Sequence, residues 1–403
     1  MNTEKKTILM IPSWYPTKEN PINGSFFREQ ALAVKDNFDF KVLHIIYKKT
    51  LFLPHFYIKL RKQRFIEVNS EENITEYNII IYKSFFFRLF SKLSYIPRKI
   101  EKSEEMQVKT ILKQNTTFSF DYVYGLTAQD MAGIAERFAR IKNKPLILAE
   151  HGPFPWSGNT ISNITRRVFE KADLFLAISN DKIRQVLLQN IKLKNIKYIG
   201  NLVDETAFTA KPSDKTEKIK TFIIVAANSF YKNYDMFIKV FNRLCQITDT
   251  PFKTMVVGYK ANKGYSKDSD ELERKLKNSL FSDKIELIGY VPRNELTSVY
   301  HKADCFIMTS IQEGQPVSAL EAACCGLQIF STKCGGVEDY VDDKIGRIYN
   351  IIDYENFALG LKDFLENKIK FDNEYIRNTI VKKFGRKTFI DNFTNFVNEL
   401  RLN

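Results

Sequence analysis

Two series of short apolar runs, each run separated from the next by a polar or amphipathic segment of helix length, constrain this chain more than any other feature. The first series reads "KTILMIP" (6–12), "FKVLHII" (40–46), "YVYGL" (122–126), "PLILAEH" (145–151), "LFLAIS" (174–179) and "IKYIGN" (196–201). The second reads "TFIIVAA" (221–227), "FKTMVVG" (252–258), "IELIGY" (285–290), "DCFIMTS" (304–310) and "LQIFST" (327–332). Strands that alternate with helix-length segments form parallel α/β units, because a parallel connection has to cross back over the sheet. Two series within 403 residues predict an α/β protein of two Rossmann-like domains, since a single core stops growing well below that length. The break is expected in the polar, Pro-containing stretch 201–218, giving domains of residues 1–202 and 203–384. Residues 385–403 place Phe389, Phe393, Phe396 and Leu400 on one face of a helix. That helix is expected to close the fold, packing on either domain or crossing back to the first.

The composition narrows the class. A hydrophobic fraction of 44% fits a folded protein, and no apolar run approaches the ~20 residues that span a bilayer. The opening "MNTEKKTILMIPSWYP" lacks the apolar core and cleavage site of a signal peptide, so a cytoplasmic location is expected. Five cysteines (Cys245, Cys305, Cys324, Cys325, Cys334) are an odd set without metal-ligand spacing, which reads as reduced structural thiols. The net charge of +14 calls for an anionic partner. Residues 47–66 carry Lys48, Lys49, Lys59, Arg61, Lys62 and Arg64 without an acid. Residues 82–100 carry Lys83, Arg88, Lys92, Arg98 and Lys99 among aromatics, and in a helix Phe86, Phe90 and Leu93 would share a face. Basic residues beside exposed aromatics predict peripheral contact with an anionic membrane, on the inner face for a cytoplasmic protein. No nucleic-acid motif accompanies the charge, so no nucleic-acid partner is expected.

The chemistry concentrates in "SIQEGQPVSALEAACCGLQIFSTKCGGVEDYV" (310–341). A strand ends at Ser310, "IQEGQ" turns, and a helix is expected to begin near Pro316, a residue favoured at helix starts. Glu313 then hangs over the sheet edge and Glu321 sits one to two turns into the helix. Ligands of parallel sheets bind beyond the strands' carboxyl ends, where amides at a helix start attract phosphate. Carboxylates beside such a site suit sugar hydroxyls; taken singly, the two glutamates read first as acids that cap and solvate a first turn, and it is the neighbouring motifs that favour the sugar. His151 follows a strand and precedes the loop "GPFPWSGN", where a pocket belongs. His44, His55 and His301 have no such setting. The D-x-D of Asp268 and Asp270 lies in a polar helix start and reads as solvated surface, so no metal site is expected.

The "EGQPVSALE" stretch resembles the E-x7-E motif of the GT-B, GT4-type retaining glycosyltransferases (glycosyl transferases group 1), and "CGLQIFSTKCGGVEDYV" resembles the segment that follows it there. "IPSWYPTKENPINGSFFREQALAV" (11–34), "AEHG" (149–152), "EKADLFLAIS" (170–179), "IGNLVDETAF" (199–208), "VAANSFYKN" (225–233) and "IELIGYVPRNELTSVYHKADCFIMTS" (285–310) resemble further family segments in family order. The resemblance implies two domains facing across a cleft, the first binding the acceptor and the second a nucleotide-diphosphate sugar. It implies that Glu321 meets the ribose and Glu313 the donor sugar, with Gln315, Pro316 and Val317 beside it. Lys232 and Asn228 would lie at the diphosphate, Gly24 would approach it from the first domain, Tyr290 would lie at the base, and His151 at the sugar. Glu338 reads as a helix cap or a donor contact, and Glu150 as a residue that orients its neighbours. The implied reaction is retaining, needs no metal or other cofactor, and transfers a hexosyl or N-acetylhexosaminyl group to a glycan or lipid-linked acceptor. An abundance of Lys, Asn, Ile and Phe points to an AT-rich bacterial genome, and so to surface-polysaccharide or lipopolysaccharide assembly. One position departs from the family pattern. Ala227 stands where the diphosphate loop usually has an Arg, and Arg28, Lys18 and Lys260 are the candidates to replace that charge. The alternatives are a GT-B sugar-nucleotide epimerase and a non-catalytic sugar-nucleotide-binding subunit.

Overall fold

The computed structural model describes residues 5–17, 23–50, 66–71, 73–84, 96–155, 161–212, 219–260 and 266–400. The chain divides into two compact units. The first comprises Met1–Ile178, Lys182–Ile199 and Ile390–Asn403; the second comprises Ser179–Asp181 and Gly200–Phe389.

In the first unit the order is β1 (Lys6–Ile11), α1 (Ser25–Ala33), β2 (Phe38–Thr50), β3 (Ile66–Glu71), β4 (Ile74–Ser84), α2 (Ile96–Gln114), β5 (Tyr122–Leu126) and α3 (Ala128–Lys142). There follow β6 (Leu146–Ala149), α4 (Asn163–Lys171), β7 (Leu174–Ala177), α5 (Asn180–Leu188, begun in the second unit) and β8 (Ile196–Tyr198). The strands form one sheet in the order β3-β4-β2-β1-β5-β6-β7-β8. Among the described residues, only the β3–β4 pair is antiparallel. Every residue of β5, β6 and β7 is buried, as expected of strands covered by helices on both faces.

The second unit holds β9 (Lys220–Val225), α6 (Tyr234–Ile247), β10 (Phe252–Val257), α7 (Ser266–Lys277), β11 (Ile285–Ile288), α8 (Leu296–His301) and β12 (Cys305–Met308). It continues with α9 (Val317–Cys324), β13 (Gln328–Thr332), β14 (Gly346–Tyr349), α10 (Tyr354–Leu365), α11 (Asn373–Phe384) and the start of α12 (Arg386–Glu399). Its sheet is wholly parallel, in the order β11-β10-β9-β12-β13-β14. Phe222, Phe237, Phe241, Phe252 and Phe281 pack together in its core.

Several expectations need correction. β3, β4 and β14 are additional strands, and β2 runs on to Thr50. Residues Tyr47 to Thr50 pair with Ile81 to Ser84, so Lys48 and Lys49 are sheet residues, and Lys83 lies in a strand rather than in the helix considered for 82–100. Residues 51–65 and 85–95, which include most of the proposed membrane-facing stretches, lie outside the described residues. The buried stripe of α12 is Phe389, Phe393 and Val397, a strict four-residue spacing, whereas Phe396 is half-buried beneath the Lys197 ammonium, 5.3 Å from its ring centre. All five cysteines are free thiols.

Phe393 is 2% exposed, and its ring lies 5.9 Å from those of Phe38 and Tyr124 in the first unit. Phe393→Ala is therefore expected to destabilise the first unit by about 3–5 kcal/mol, lowering its urea midpoint. A midpoint unchanged from wild type would show that the C-terminal segment does not help hold that unit together.

Candidate functional site

Strands β9 and β12 are hydrogen-bonded neighbours in the middle of the second unit's sheet, with Phe222 opposite Cys305 and Ile223 opposite Phe306. The chain passes from β9 toward β10 on one side and from β12 toward β13 on the other. This is the switch point of a doubly wound sheet, where the loops diverge and open a crevice at the strands' carboxyl ends.

After β9, a single 3-10 turn (Phe230–Lys232) carries Lys232. Asn233 ends it in the left-handed region, at φ 49°, a conformation that Asn tolerates better than most residues. Its side chain then accepts the Met236 amide and starts α6. α6 buries Met236, Phe237, Val240, Phe241 and Leu244, a helical stripe that anchors the turn. The loops after β9 and β12 are laced together: the Thr309 hydroxyl donates to the Lys232 carbonyl at 3.1 Å, and the Ile311 amide to the Tyr231 carbonyl at 2.8 Å. There the Lys232 ammonium lies 2.7 Å from Glu313 Oε1, which also accepts the Ser310 hydroxyl at 2.6 Å.

The next turn is braced from behind. Gly335 and Gly336 have φ +91° and +70°, and a Cβ on Gly336 would lie 2.2 Å from the Gly314 carbonyl oxygen. Only glycine allows that approach. Glu338 Oε1 accepts the Gly335 amide at 3.1 Å, so this acid holds the glycine loop. Gln315 accepts the Asn201 amide on its side chain and Asn201 Nδ2 on its carbonyl, the latter at 2.8 Å. Pro316 is the N-cap of α9 and no side chain caps that end. The first amides of the helix, from Val317 on, therefore have no acceptor within the helix. Glu321, one turn further, is 2% exposed. The Arg293 guanidinium pairs with its Oε1, and the Tyr300 hydroxyl donates to its Oε2 at 3.0 Å.

The remaining predicted residues of this unit stand on other loops. Asn228 Nδ2 donates to the Asp268 carbonyl at 2.9 Å, and Tyr290, just past β11, is 45% exposed. No group of three or more His, Cys, Asp or Glu side chains is placed to hold a metal among the described residues. The candidates named to replace the charge at Ala227 are placed as follows. Lys260 is paired with Glu273 at 2.5 Å, Arg28 of the first unit with Glu76 at 3.3 Å, and Lys18 lies outside the described residues.

Gly24 and His151 belong to the first unit. Gly24 caps α1 at φ +70°, and a Cβ there would strike the Trp14 carbonyl oxygen at 2.5 Å. His151 packs against Phe26 and Phe27, with ring centres 5.4 and 4.8 Å away. The residue is partly exposed, yet both ring nitrogens are buried without a hydrogen-bond partner among the described residues. Beside it, buried Glu150 accepts the Gly152 amide at 2.7 Å, and buried Lys182 donates to the Gly152 carbonyl at 2.6 Å.

Sequence reasoning missed Ser310, Asn233, Asn201, Arg293 and Tyr300. All five fall inside segments singled out for other reasons, and their partners become visible only once the strand order is known.

Residues 205–382 match the family model described as glycosyl transferases group 1. That match covers the part of the chain that carries Lys232, Glu313 and Glu321. The chain is 24% identical over 188 residues to the phosphatidylinositol N-acetylglucosaminyltransferase gpi3 subunit of Schizosaccharomyces pombe, a match covering 46% of this chain and 40% of that one. It is 26% identical over 205 residues to a Campylobacter jejuni protein, across 50% of this chain and 53% of that one. That protein is named N-acetylgalactosamine-N,N'-diacetylbacillosaminyl-diphospho-undecaprenol 4-alpha-N-acetylgalactosaminyltransferase. The chain thus spans less than two thirds of either relative. Its fold is GT-B. The structure of Anabaena HepE in complex with UDP-glucose superposes with a TM-score of 0.67 at 15% identity, covering 99% of this chain and 100% of that one.

The first unit carries a pH signature. Burial, reinforced by the Lys182 ammonium, pulls the His151 pKa from 6.5 down to about 3. Between those values the unfolded chain takes up a proton that the folded one refuses, so stability falls as pH drops through this window. Glu150 works the other way: burial pushes its pKa from 4.5 up to about 7, against the pull of Lys182 and the Gly152 and Gln129 amides. Its contribution is lost as pH rises through about 7. His151→Phe removes only the first effect. Between about pH 6 and 4, the thermal stability of that variant relative to wild type should increase as the pH falls. Parallel curves would show that His151 is protonated equally in both states.

Proposed function

We propose that this protein is a retaining glycosyltransferase that moves a sugar from a nucleotide-diphosphate sugar to a glycan or lipid-linked acceptor. The observation that carries the reading is the Lys232–Glu313 pair at the switch point of the second unit, followed by buried Glu321 on α9. Breaking a sugar–phosphate bond builds negative charge on the departing diphosphate and positive charge on the anomeric carbon. Lys232 and the uncapped start of α9 meet the first charge, a contribution of the preorganised kind that dominates many enzymatic rate enhancements. Glu313 accepts hydrogen bonds from donor-sugar hydroxyls, and Glu321 from ribose hydroxyls. The first unit receives the acceptor, whose proton goes to the departing phosphate, so retention requires no protein nucleophile. The chemistry runs without a metal.

The comparisons support the substrate classes. HepE binds UDP-glucose, and the Campylobacter relative is named for transfer onto a diphospho-undecaprenol-linked sugar. A bacterial role in surface polysaccharide or lipopolysaccharide assembly follows, with an acceptor carried on lipid. The basic stretches at 47–66 and 82–100 would then bring the protein to an anionic membrane surface. A second reading, a donor-binding subunit without transferase activity of its own, is favoured by Ala227 and by the name of the Schizosaccharomyces pombe relative.

A thermal-shift panel of UDP-, GDP-, ADP- and CMP-sugars without metal tests the donor site. One nucleotide class should stabilise wild type by ~2.7 kcal/mol at a hundredfold excess over Kd, and leave Glu321→Ala unmoved. No shift from any of them, with or without magnesium, would remove the donor-site reading. Slow hydrolysis of the bound donor to free sugar would decide for the enzyme over the non-catalytic subunit.

Lys232→Met provides a sharper arm. It is expected to weaken binding of the matching nucleoside diphosphate by about 1.5–3 kcal/mol while leaving the bare nucleoside unaffected, as read by calorimetry. Equal losses for both would place Lys232 away from the diphosphate.

A further inference from the structure

We infer that Arg293, together with Tyr300, presents the Glu321 carboxylate to the donor's ribose and gives the site its preference for ribonucleotides over 2′-deoxyribonucleotides. The inference rests on the nucleotide-sugar reading of the second unit.

A carboxylate offers about four acceptor positions. Arg293 uses one on Oε1 and Tyr300 one on Oε2, so each oxygen keeps one for a vicinal diol. Both donors are themselves fixed. Tyr300 is fully buried, and burial beside Glu321 pushes its hydroxyl pKa well above the ordinary value, so it remains a donor. The Arg293 guanidinium lies over the Phe208 ring, 5.1 Å from its centre, and the Phe208 ring lies 6.0 Å from that of Tyr300. Phe208 is fully buried, and its carbonyl accepts Arg377 Nη1 at 2.6 Å and the Cys324 thiol at 3.3 Å. The aromatic shelf beneath Arg293 is therefore tied to both α9 and α11.

The chemistry explains why an arginine stands here. A carboxylate 2% exposed is held by a paired, hydrogen-bonded cation in place of water. If Arg293 is lost, Oε1 loses that donor and the carboxylate is free to turn away from the two hydroxyls. Lysine would restore the charge but neither the planar fork nor the stacking on Phe208. Arg293 touches no reacting atom in this scheme and is a positioning residue.

The test is calorimetric binding of UDP, GDP, ADP and CDP, each beside its 2′-deoxy counterpart, to wild type, Arg293→Met, Arg293→Lys and Tyr300→Phe. Wild type should bind one ribonucleotide at least about tenfold more tightly than its deoxy form, since a single lost hydrogen bond is worth that order. Arg293→Met should bring the ratio to within about twofold, Arg293→Lys should restore part of it, and Tyr300→Phe should lower it about threefold. A general loss of structure would weaken both nucleotides alike and leave the ratio unmoved. A ratio retained in folded Arg293→Met, or absent in wild type, overturns the inference while the donor site stands. If Arg293→Met does not fold, wild-type ratios in both Arg293→Lys and Tyr300→Phe overturn it. Failure of every nucleotide to bind wild type removes the donor site, and this inference with it.

Discussion

The adjacency of β9 and β12 is the constraint on which the second unit's chemistry depends. Parallel connections are right-handed, so a chain that leaves β9 in one direction and β12 in the other must part its loops at their carboxyl ends. Lys232 and Glu313, 81 residues apart in sequence, meet at 2.7 Å because their loops leave from neighbouring strands. The pair keeps 27% and 14% of its side chains exposed, so its contribution to stability is modest. Under the proposed function its value would lie in preorganisation: each charge neutralises the other until an anionic diphosphate arrives, when Lys232 would gain a second anion and Glu313 would be left to accept hydroxyls.

How much of this was legible in the sequence follows from burial. Strands β5, β6, β7 and β12 are buried at every residue and read as apolar runs, whereas β13, equally buried, carries Gln328, Ser331 and Thr332 around its apolar Ile329 and Phe330. β14, "GRIY", is four residues with three only half-buried, too short for any pattern to show. Its glycine is nevertheless obligatory, since a Cβ on Gly346 would fall 1.8 Å from the Ile329 carbonyl oxygen. β4 was hidden for another reason: "ITEYNIIIYKS" mixes polar residues through a strand that is buried unevenly. The spacing of Glu313 and Glu321 and their residue types were visible, because both belong to one local turn and helix. The partners were not. Arg293 reaches Glu321 across 28 residues and Asn201 reaches Gln315 across 114, and no periodicity in sequence encodes a contact of that kind.

Lys182 shows the same limit from the other side. In "SNDKIRQ" it reads as an ordinary solvated helix lysine, yet it is fully buried and holds the Gly152 carbonyl while Glu150 holds the Gly152 amide. A buried lysine is tolerated only where its charge is answered, here by Glu150 and by the Gln185 side-chain oxygen at 2.8 Å. The two buried groups clamp both polar atoms of the residue that follows His151, so the histidine is set by its chain neighbour rather than by a bond to its own ring.

That setting bears on mechanism. With its pKa near 3, His151 is neutral at physiological pH. A neutral imidazole can donate or accept a hydrogen bond, but a group so weakly basic captures little of an acceptor's proton, because general-base efficiency is greatest when the pKa lies near the working pH. Glu150, the nearby carboxyl whose pKa does lie near neutrality, has its oxygens on the Gly152 and Gln129 amides and is fully buried. Neither group is arranged to take a proton from an incoming hydroxyl. A transfer in which the departing phosphate takes that proton asks for no such group, and a neutral histidine with both ring nitrogens buried is consistent with that route.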